Sequence, residues 1–158
     1  MKAHYHSHFG AEETLEQKGL LNELRAVVES IVSLEHDEIV AAFISKGWEP
    51  YPIFSDRQYD CDAYKQRVVV EVEGVDKDRV IDYYHCKFFR FLAWRDVSKG
   101  DVGILITGVR KTSEFANGTY LAMKNDLNTF SKTLQFPIYL VGLHEDPLLN
   151  CVHEIEAS

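Results

Sequence analysis

Three carboxylates between positions 62 and 73 are the residues of this chain best suited to do chemistry. Glu71 and Glu73 lie two positions apart in a β-branched run, so strand geometry places both on one side, roughly 7 Å apart at Cα. Asp62 could approach them from a neighbouring strand. The opposite side of the same strand is apolar and should face a core, since it carries Val68, Val70 and Val72.

Acids arranged in this way could hold Mg²⁺, which prefers hard oxygen ligands from one or two carboxylates together with water and substrate phosphate. Hydrolysis of a phosphodiester needs neutralisation of the phosphate, an activated water and help for the departing oxygen, and Mg²⁺ can supply all three. The alternative is that the two glutamates simply face solvent. Their spacing alone does not decide between a cation site and a solvated surface.

The charge distribution bears on the kind of partner. The chain has 158 residues and a formal charge of −8, which by itself argues against a nucleic-acid partner. Residues 65 to 132, however, hold 12 of the 17 Lys and Arg residues and have a net charge of +3, while the flanks have −11. The middle of the chain could therefore present a basic face to DNA, although ordinary solvated charge would give the same asymmetry.

Length and composition favour one domain, spanning residues 1–158, with a single hydrophobic core. No apolar run approaches the roughly 20 residues of a membrane span, and the N-terminus has no signal-peptide pattern, so we expect a cytoplasmic protein. The three cysteines are widely spaced and suit neither a disulfide framework nor a zinc site. We interpret Cys61, Cys86 and Cys151 as reduced structural thiols.

Periodicity and turn residues predict the elements that must position the acids. Gly47 and Gly74 should end the elements before them, and the prolines between Trp48 and Tyr59 favour an irregular or edge segment there. The order of elements predicts an α/β fold, a three-layer sandwich with a mixed central sheet flanked by helices. The predicted helices cover residues 15–35, 37–46, 77–94 and 119–133, and the strands 66–73, 102–106 and 136–143, with a possible last strand at 150–156.

The N-terminus contains a second group of potential ligands. His4, His6 and His8 alternate and could bind a transition metal if they lay on a strand. We expect instead a frayed, solvent-exposed terminus, to which His8 is a partial exception.

The pattern Asp62-x8-Glu71-x-Glu73 resembles the active-site signature of the PD-(D/E)xK nuclease superfamily, whose last position is usually lysine. The run from 65 to 73 and the following helix with Lys87 are similar to the BglII and BstYI group of restriction endonucleases. That group has glutamine at the third position, and BamHI has glutamate there. Further matches occur in the same order along nearly the whole chain: Ser7-His8, Glu13, Leu15, Glu29, residues 31–33, 46–48, 101–103 and 137–142.

This resemblance implies a Mg²⁺-dependent type II restriction endonuclease that acts as a homodimer on double-stranded DNA. Asp62 and Glu71 would bind the metal, with Asp60 as a substitute for Asp62, and Glu73 would orient or deprotonate the attacking water. A target containing GATC is implied by the same likeness. Lys87 stands too far along its helix to replace the missing lysine by spacing alone, and we interpret it as a surface residue or a DNA contact.

The resemblance implies that the helix start and the loop after residue 108 enter the major groove, where Arg or Lys reads guanine and Asn reads adenine. The candidates are Lys77, Arg79, Arg110, Lys111 and Asn117, for which plain surface placement is the alternative. Two other functions remain open. One is a repair or defence nuclease of looser specificity, and the other is a catalytically inactive DNA-binding or assembly protein with the same fold.

Overall fold

The computed structural model of the protein describes residues 1–50, 60–73, 84–109 and 118–144. Within these ranges the strands, in chain order, are β1 (Lys2–His8), β2 (Glu49–Pro50), β3 (Ala63–Lys65), β4 (Val68–Val72), β5 (Val102–Gly108) and β6 (Ile138–His144). The helices are α1 (Ala11–Gln17), α2 (Leu21–Ser30), α3 (His36–Ser45), α4 (Tyr84–Asp96) and α5 (Gly118–Thr129).

The strands of the described ranges form one mixed sheet in the order β1-β6-β5-β4-β3-β2. Strands β4, β5 and β6 run parallel, while β1 pairs antiparallel with β6, and β3 pairs antiparallel with both β2 and β4. Every residue of β4, β5 and β6 is buried, as expected for parallel strands covered on both faces. The three strands predicted from the sequence are thus confirmed.

Helices cover the sheet on both sides, which confirms the predicted three-layer α/β sandwich. Val68, Val70 and Val72 of β4 pack into one core with apolar residues of α1, α2 and α3. The opposite face of the sheet packs against α4 and α5, where Val69 and Phe91 belong to a second core. Alternation along β4 therefore directs its valines at even positions towards α1–α3, and Glu71 towards α4.

The single helix predicted over residues 15–35 is wrong, because the chain breaks into α1 and α2. Gly19 adopts φ +69°, a left-handed conformation that glycine takes without steric cost and that ends α1. The apolar period continues across the break because Leu15 and Leu24 are buried in the same core. The hydrophobic pattern alone therefore did not reveal the break.

The predicted frayed N-terminus is also wrong, because residues 2–8 form β1 at the edge of the sheet. The strand pairs with β6 along its whole length, from Lys2 opposite His144 to His8 opposite Ile138. The His8 ring is buried and hydrogen-bonds the Leu134 carbonyl oxygen at 2.8 Å. Within the part of the chain that the structure describes, no three His, Cys, Asp or Glu side chains are grouped as metal ligands, and this includes the alternating histidines.

The remaining helices lie close to their predicted positions. Helix α3 ends at Ser45, and Gly47 follows with φ +79°, as the sequence suggested. The start predicted for the third helix and the possible strand at 150–156 fall outside the described residues. None of the helices in the described ranges is long and apolar enough to cross a membrane.

Candidate active site

The antiparallel pair β3 and β4 brings Asp62 beside Glu71. Ala63 lies opposite Val70, so the residue before β3 meets the residue after Val70. The Asp62 backbone N–H donates to the Val70 carbonyl at 3.0 Å, and its Oδ2 accepts the Val72 N–H at 2.7 Å. The Asp62 carboxylate is therefore fixed to the backbone of the strand that carries both glutamates.

Glu71 is almost fully buried, with 1% of its side chain exposed, and points from the sheet to α4. Two cationic side chains of α4, one turn apart, form ion pairs with the Glu71 carboxylate. Lys87 Nζ lies 2.5 Å from Glu71 Oε2, and Arg90 Nη1 lies 3.5 Å from Glu71 Oε1. Burial raises the pKa of Glu71 above its usual value, and Lys87 opposes that rise, so the buried carboxylate depends on a neighbouring cation to stay ionised.

Glu73 stands just beyond β4, where its backbone N–H continues the sheet by donating to the Ile106 carbonyl at 2.8 Å. Its Oε2 lies 3.5 Å from Lys87 Nζ. The two glutamates are thus on the same side of the strand, as their spacing predicted, and one ammonium group joins them.

The interpretation of Lys87 as a surface residue is wrong. Only 13% of its side chain is exposed, and its ammonium group contacts both glutamates. Burial lowers the pKa of Lys87, but the charge and hydrogen bond of Glu71 and the charge of Asp62 together outweigh burial, so the pKa is raised and the lysine stays protonated. Spacing along the chain could not reveal the contact, because α4 crosses the face of the sheet on which Glu71 lies.

Two further residues of the site had not been identified from the sequence. His36, in the first turn of α3, places its Nε2 3.3 Å from Asp62 Oδ1, and its Nδ1 lies 3.1 Å from Asp37. The hydrogen bond to Asp62 raises the pKa of His36 to about 9 although burial opposes it. Arg90 also pairs with Asp60, at 3.6 Å. A single histidine at a helix start gives no sequence signal for a contact 26 positions away.

The environment of Asp62 favours its ionised form. Burial acts to raise its pKa, but the hydrogen bonds from His36 and from the Val72 N–H outweigh burial, and the pKa is lowered. Asp62 also lies near enough to Glu71 for the two charges to repel and raise the pKa of Glu71. Positive charge is therefore stabilising between them.

The donor types fit a hard divalent cation, since Mg²⁺ is commonly bound through one or two carboxylates. Asp62 and Glu71 supply such oxygens from adjacent strands. No cluster of three such ligands occurs among the described residues, and the ammonium group of Lys87 contacts both Glu71 and Glu73. A pair of carboxylates, with Glu73 held by the lysine, describes the site better than three converging acids.

The predicted DNA contacts Lys77, Arg79, Arg110, Lys111 and Asn117 all lie outside the described residues. Cys61, by contrast, is described, and it is a buried free thiol whose pKa is raised by burial. This agrees with its interpretation as a structural cysteine.

Comparisons with family models and with solved structures both find proteins similar to this chain. A family model described as "Restriction endonuclease BglII/BglIII" matches residues 3–143. The fold is similar to the crystal structure of restriction endonuclease BglII complexed with a DNA 16-mer, with a TM-score of 0.68 and 19% sequence identity, over 92% of this chain and 79% of that one. No curated protein matches the chain.

Proposed function

Since this chain belongs to the BglII/BglIII family of restriction endonucleases, and so to the type II site-specific deoxyribonucleases, we propose that it hydrolyses double-stranded DNA at a short palindrome with Mg²⁺ as cofactor. The observation that carries the Mg²⁺ dependence is the placement of Asp62 opposite Glu71 on adjacent strands, with the buried Glu71 dependent on positive charge. A GATC-containing target rests on the family resemblance alone. The cytoplasmic location and the single-domain organisation remain predictions.

In this proposal Asp62 and Glu71 bind the cation. Bound there, the ion would neutralise the scissile phosphate and make a coordinated water more acidic. The Val72 N–H and the His36 ring hold Asp62 in one orientation, so that its carboxylate is in place before DNA arrives. Glu73 is the more accessible of the two glutamates, with 19% of its side chain exposed, which suits a group that orients the attacking water or takes its proton.

We propose that the residues predicted to contact DNA recognise the base sequence of the target. Arg and Lys would contact guanine, and Asn would contact adenine, in the major groove. The residues are Lys77, Arg79, Arg110, Lys111 and Asn117. Substituting one of them should relax specificity at a single base pair, whereas substituting an acid of the site should abolish cleavage at every site.

Cleavage of both strands of a palindrome needs two sites related by two-fold symmetry, and we therefore propose a homodimer. An apolar groove of about 380 Å³ lies between α4 and the end of α5 and is lined by Leu92 and Phe130, among others. Phe89 is 70% exposed beside it. A second copy of the chain would cover this surface, so Phe89→Asp should convert a dimer to a monomer in light scattering. A wild-type monomer at micromolar concentration, with and without DNA, would exclude the dimer.

The central experiment is plasmid cleavage with Mg²⁺ or Mn²⁺ by wild type and by Glu71→Ala. The matched control is Glu16→Ala, at an exposed glutamate of α1. We expect discrete bands from wild type and from the control, and none from Glu71→Ala. Smearing or damage-dependent nicking would instead favour a nuclease of looser specificity. Equal inactivity of all three proteins, with DNA binding retained, would favour the inactive DNA-binding protein.

A further inference from the structure

The catalytic strand of this protein contributes no cation of its own. The third position of the acidic pattern is Glu73, and the three side chains that the pattern places at the site are all acids. A phosphodiester adds further negative charge when it approaches them. Some group besides these acids must therefore offset charge at the scissile phosphate.

We propose that Lys87 supplies this positive charge from α4 and acts as a catalytic residue that stabilises the transition state of hydrolysis. The inference rests on the proposed nuclease function and names a residue that the acidic pattern does not contain. Its basis is geometric. The ammonium group lies 2.5 Å from Glu71 and 3.5 Å from Glu73, between the predicted metal ligand and the group predicted to act on water.

A purely structural role explains the placement of Lys87 less well. Arg90 already lies 3.5 Å from Glu71 and offers a counter-charge with a side chain that is 40% exposed, which costs less desolvation. A lysine buried to 13% exposure loses hydration and rotamer freedom, and buried ion pairs often contribute little net stability. A counter-ion for Glu71 would also have no reason to contact Glu73.

The role of Lys87 in the reaction is that of a fixed charge. The oxygen of a water molecule forms a bond to phosphorus, the P–O3′ bond breaks, and its electron pair remains on O3′. The water proton passes to Glu73, and solvent supplies the proton that O3′ takes up. Lys87 neither gains nor loses a proton, and its N–H groups donate to a non-bridging phosphate oxygen whose negative charge grows in the transition state.

The same geometry makes a prediction for the protein without DNA. Lys87 and a divalent cation both interact with Glu71, so the lysine competes with the metal. Removal of the lysine charge should therefore tighten Mn²⁺ binding in the absence of DNA, even as it slows cleavage. A residue that only supported the fold would not produce these two opposite effects.

The experiment combines both measurements on Lys87→Gln, on Lys87→Arg, and on a matched control, Lys132→Gln, at an exposed lysine after α5. Single-turnover cleavage is measured at saturating Mg²⁺, and free Mn²⁺ is counted by electron paramagnetic resonance in the DNA-free protein. We expect Lys87→Gln to cleave on the order of 10²-fold more slowly while binding Mn²⁺ more tightly. Lys87→Arg should keep most of the rate, and Lys132→Gln should match wild type in both measurements.

The outcomes separate this inference from the proposed function. If wild type cleaves and Lys87→Gln reaches the same rate at saturating metal, the lysine is only a counter-ion and the inference is overturned while the nuclease function stands. Weaker Mn²⁺ binding by Lys87→Gln would also overturn it. If Lys87→Gln does not fold, the Lys87→Arg protein decides, and cleavage by it as slow as that of Glu71→Ala would overturn the inference. A wild-type protein that does not cleave DNA would overturn both the inference and the proposed nuclease function.

Discussion

The contact between Lys87 and Glu71 predicts an unusual stability pattern, in which a second substitution repairs the damage of the first. At an effective dielectric constant of about 20, Coulomb's law gives about 7 kcal/mol for opposite charges 2.5 Å apart and about 5 kcal/mol at 3.5 Å, before desolvation is subtracted. Lys87→Met removes the closer contact and leaves Glu71 buried with Arg90 alone. Breaking one side of a buried pair typically costs 3–5 kcal/mol, and we expect a loss of about 3 kcal/mol because Arg90 remains.

Adding Glu71→Gln to Lys87→Met removes the buried charge that the first substitution left behind. The double variant should therefore be more stable than Lys87→Met, by about half of what that variant lost, because a neutral amide is cheaper to bury than an unpaired carboxylate. Glu71→Gln alone should cost less than Lys87→Met, since Lys87 keeps its contact with Glu73 at 3.5 Å.

Urea unfolding measures all four proteins, with the fluorescence of Trp48 and Trp94 as the signal. Both tryptophans are buried and become exposed on unfolding. The coupling free energy follows from the double-mutant cycle. If the free energies of unfolding change additively, or if the double variant is the least stable of the four, the two side chains are not paired in solution and the reasoning fails.

Two other predictions concern the scaffold around the site. Arg67 and, to a smaller extent, Lys18 hydrogen-bond Asp101 and lower its pKa to about 2. Because Asp101 is partly exposed, we expect Asp101→Asn to lower the free energy of unfolding at pH 6 by about 1 kcal/mol. Because the folded pKa is depressed, that stabilisation is present above about pH 4 and lost as the pH falls towards 2. In urea unfolding, the difference in free energy of unfolding between wild type and Asp101→Asn should be smaller at pH 3 than at pH 6. An equal difference at both pH values would contradict the ion pairing assigned to Asp101. Gly103→Ala would place a Cβ 2.6 Å from the fully buried ring of Phe91, so we expect the free energy of unfolding to fall by about 1–3 kcal/mol. Thermal denaturation checks this, and an unchanged melting temperature would show that α4 can shift without cost.

The sequence was sufficient for those parts of the site that depend on local geometry. Alternation along β4 separated the two glutamates from Val68, Val70 and Val72, whereas the approach of Asp62 from a neighbouring strand was only one possibility that the sequence left open. The separation of the two faces of the strand needed only strand periodicity.

The sequence was insufficient where a contact crosses from one layer to another. Lys87 reaches Glu71 from α4, and His36 reaches Asp62 from α3, and neither distance is encoded in spacing along the chain. Strand β1 was missed for a related reason, because its partner β6 lies more than 120 residues away and its histidines do not form a typical apolar strand. Family resemblance supplied the fold class correctly but did not supply these particular contacts.

The position of β1 affects how the protein folds during synthesis. Among the described strands, β1 pairs with β6 alone, so the first strand to be synthesised cannot join this sheet until residues 138–144 have left the ribosome. Strands β3 and β4 are close in sequence and can pair much earlier. The carboxylates would thus come together before the N-terminal strand joins the opposite edge of the sheet.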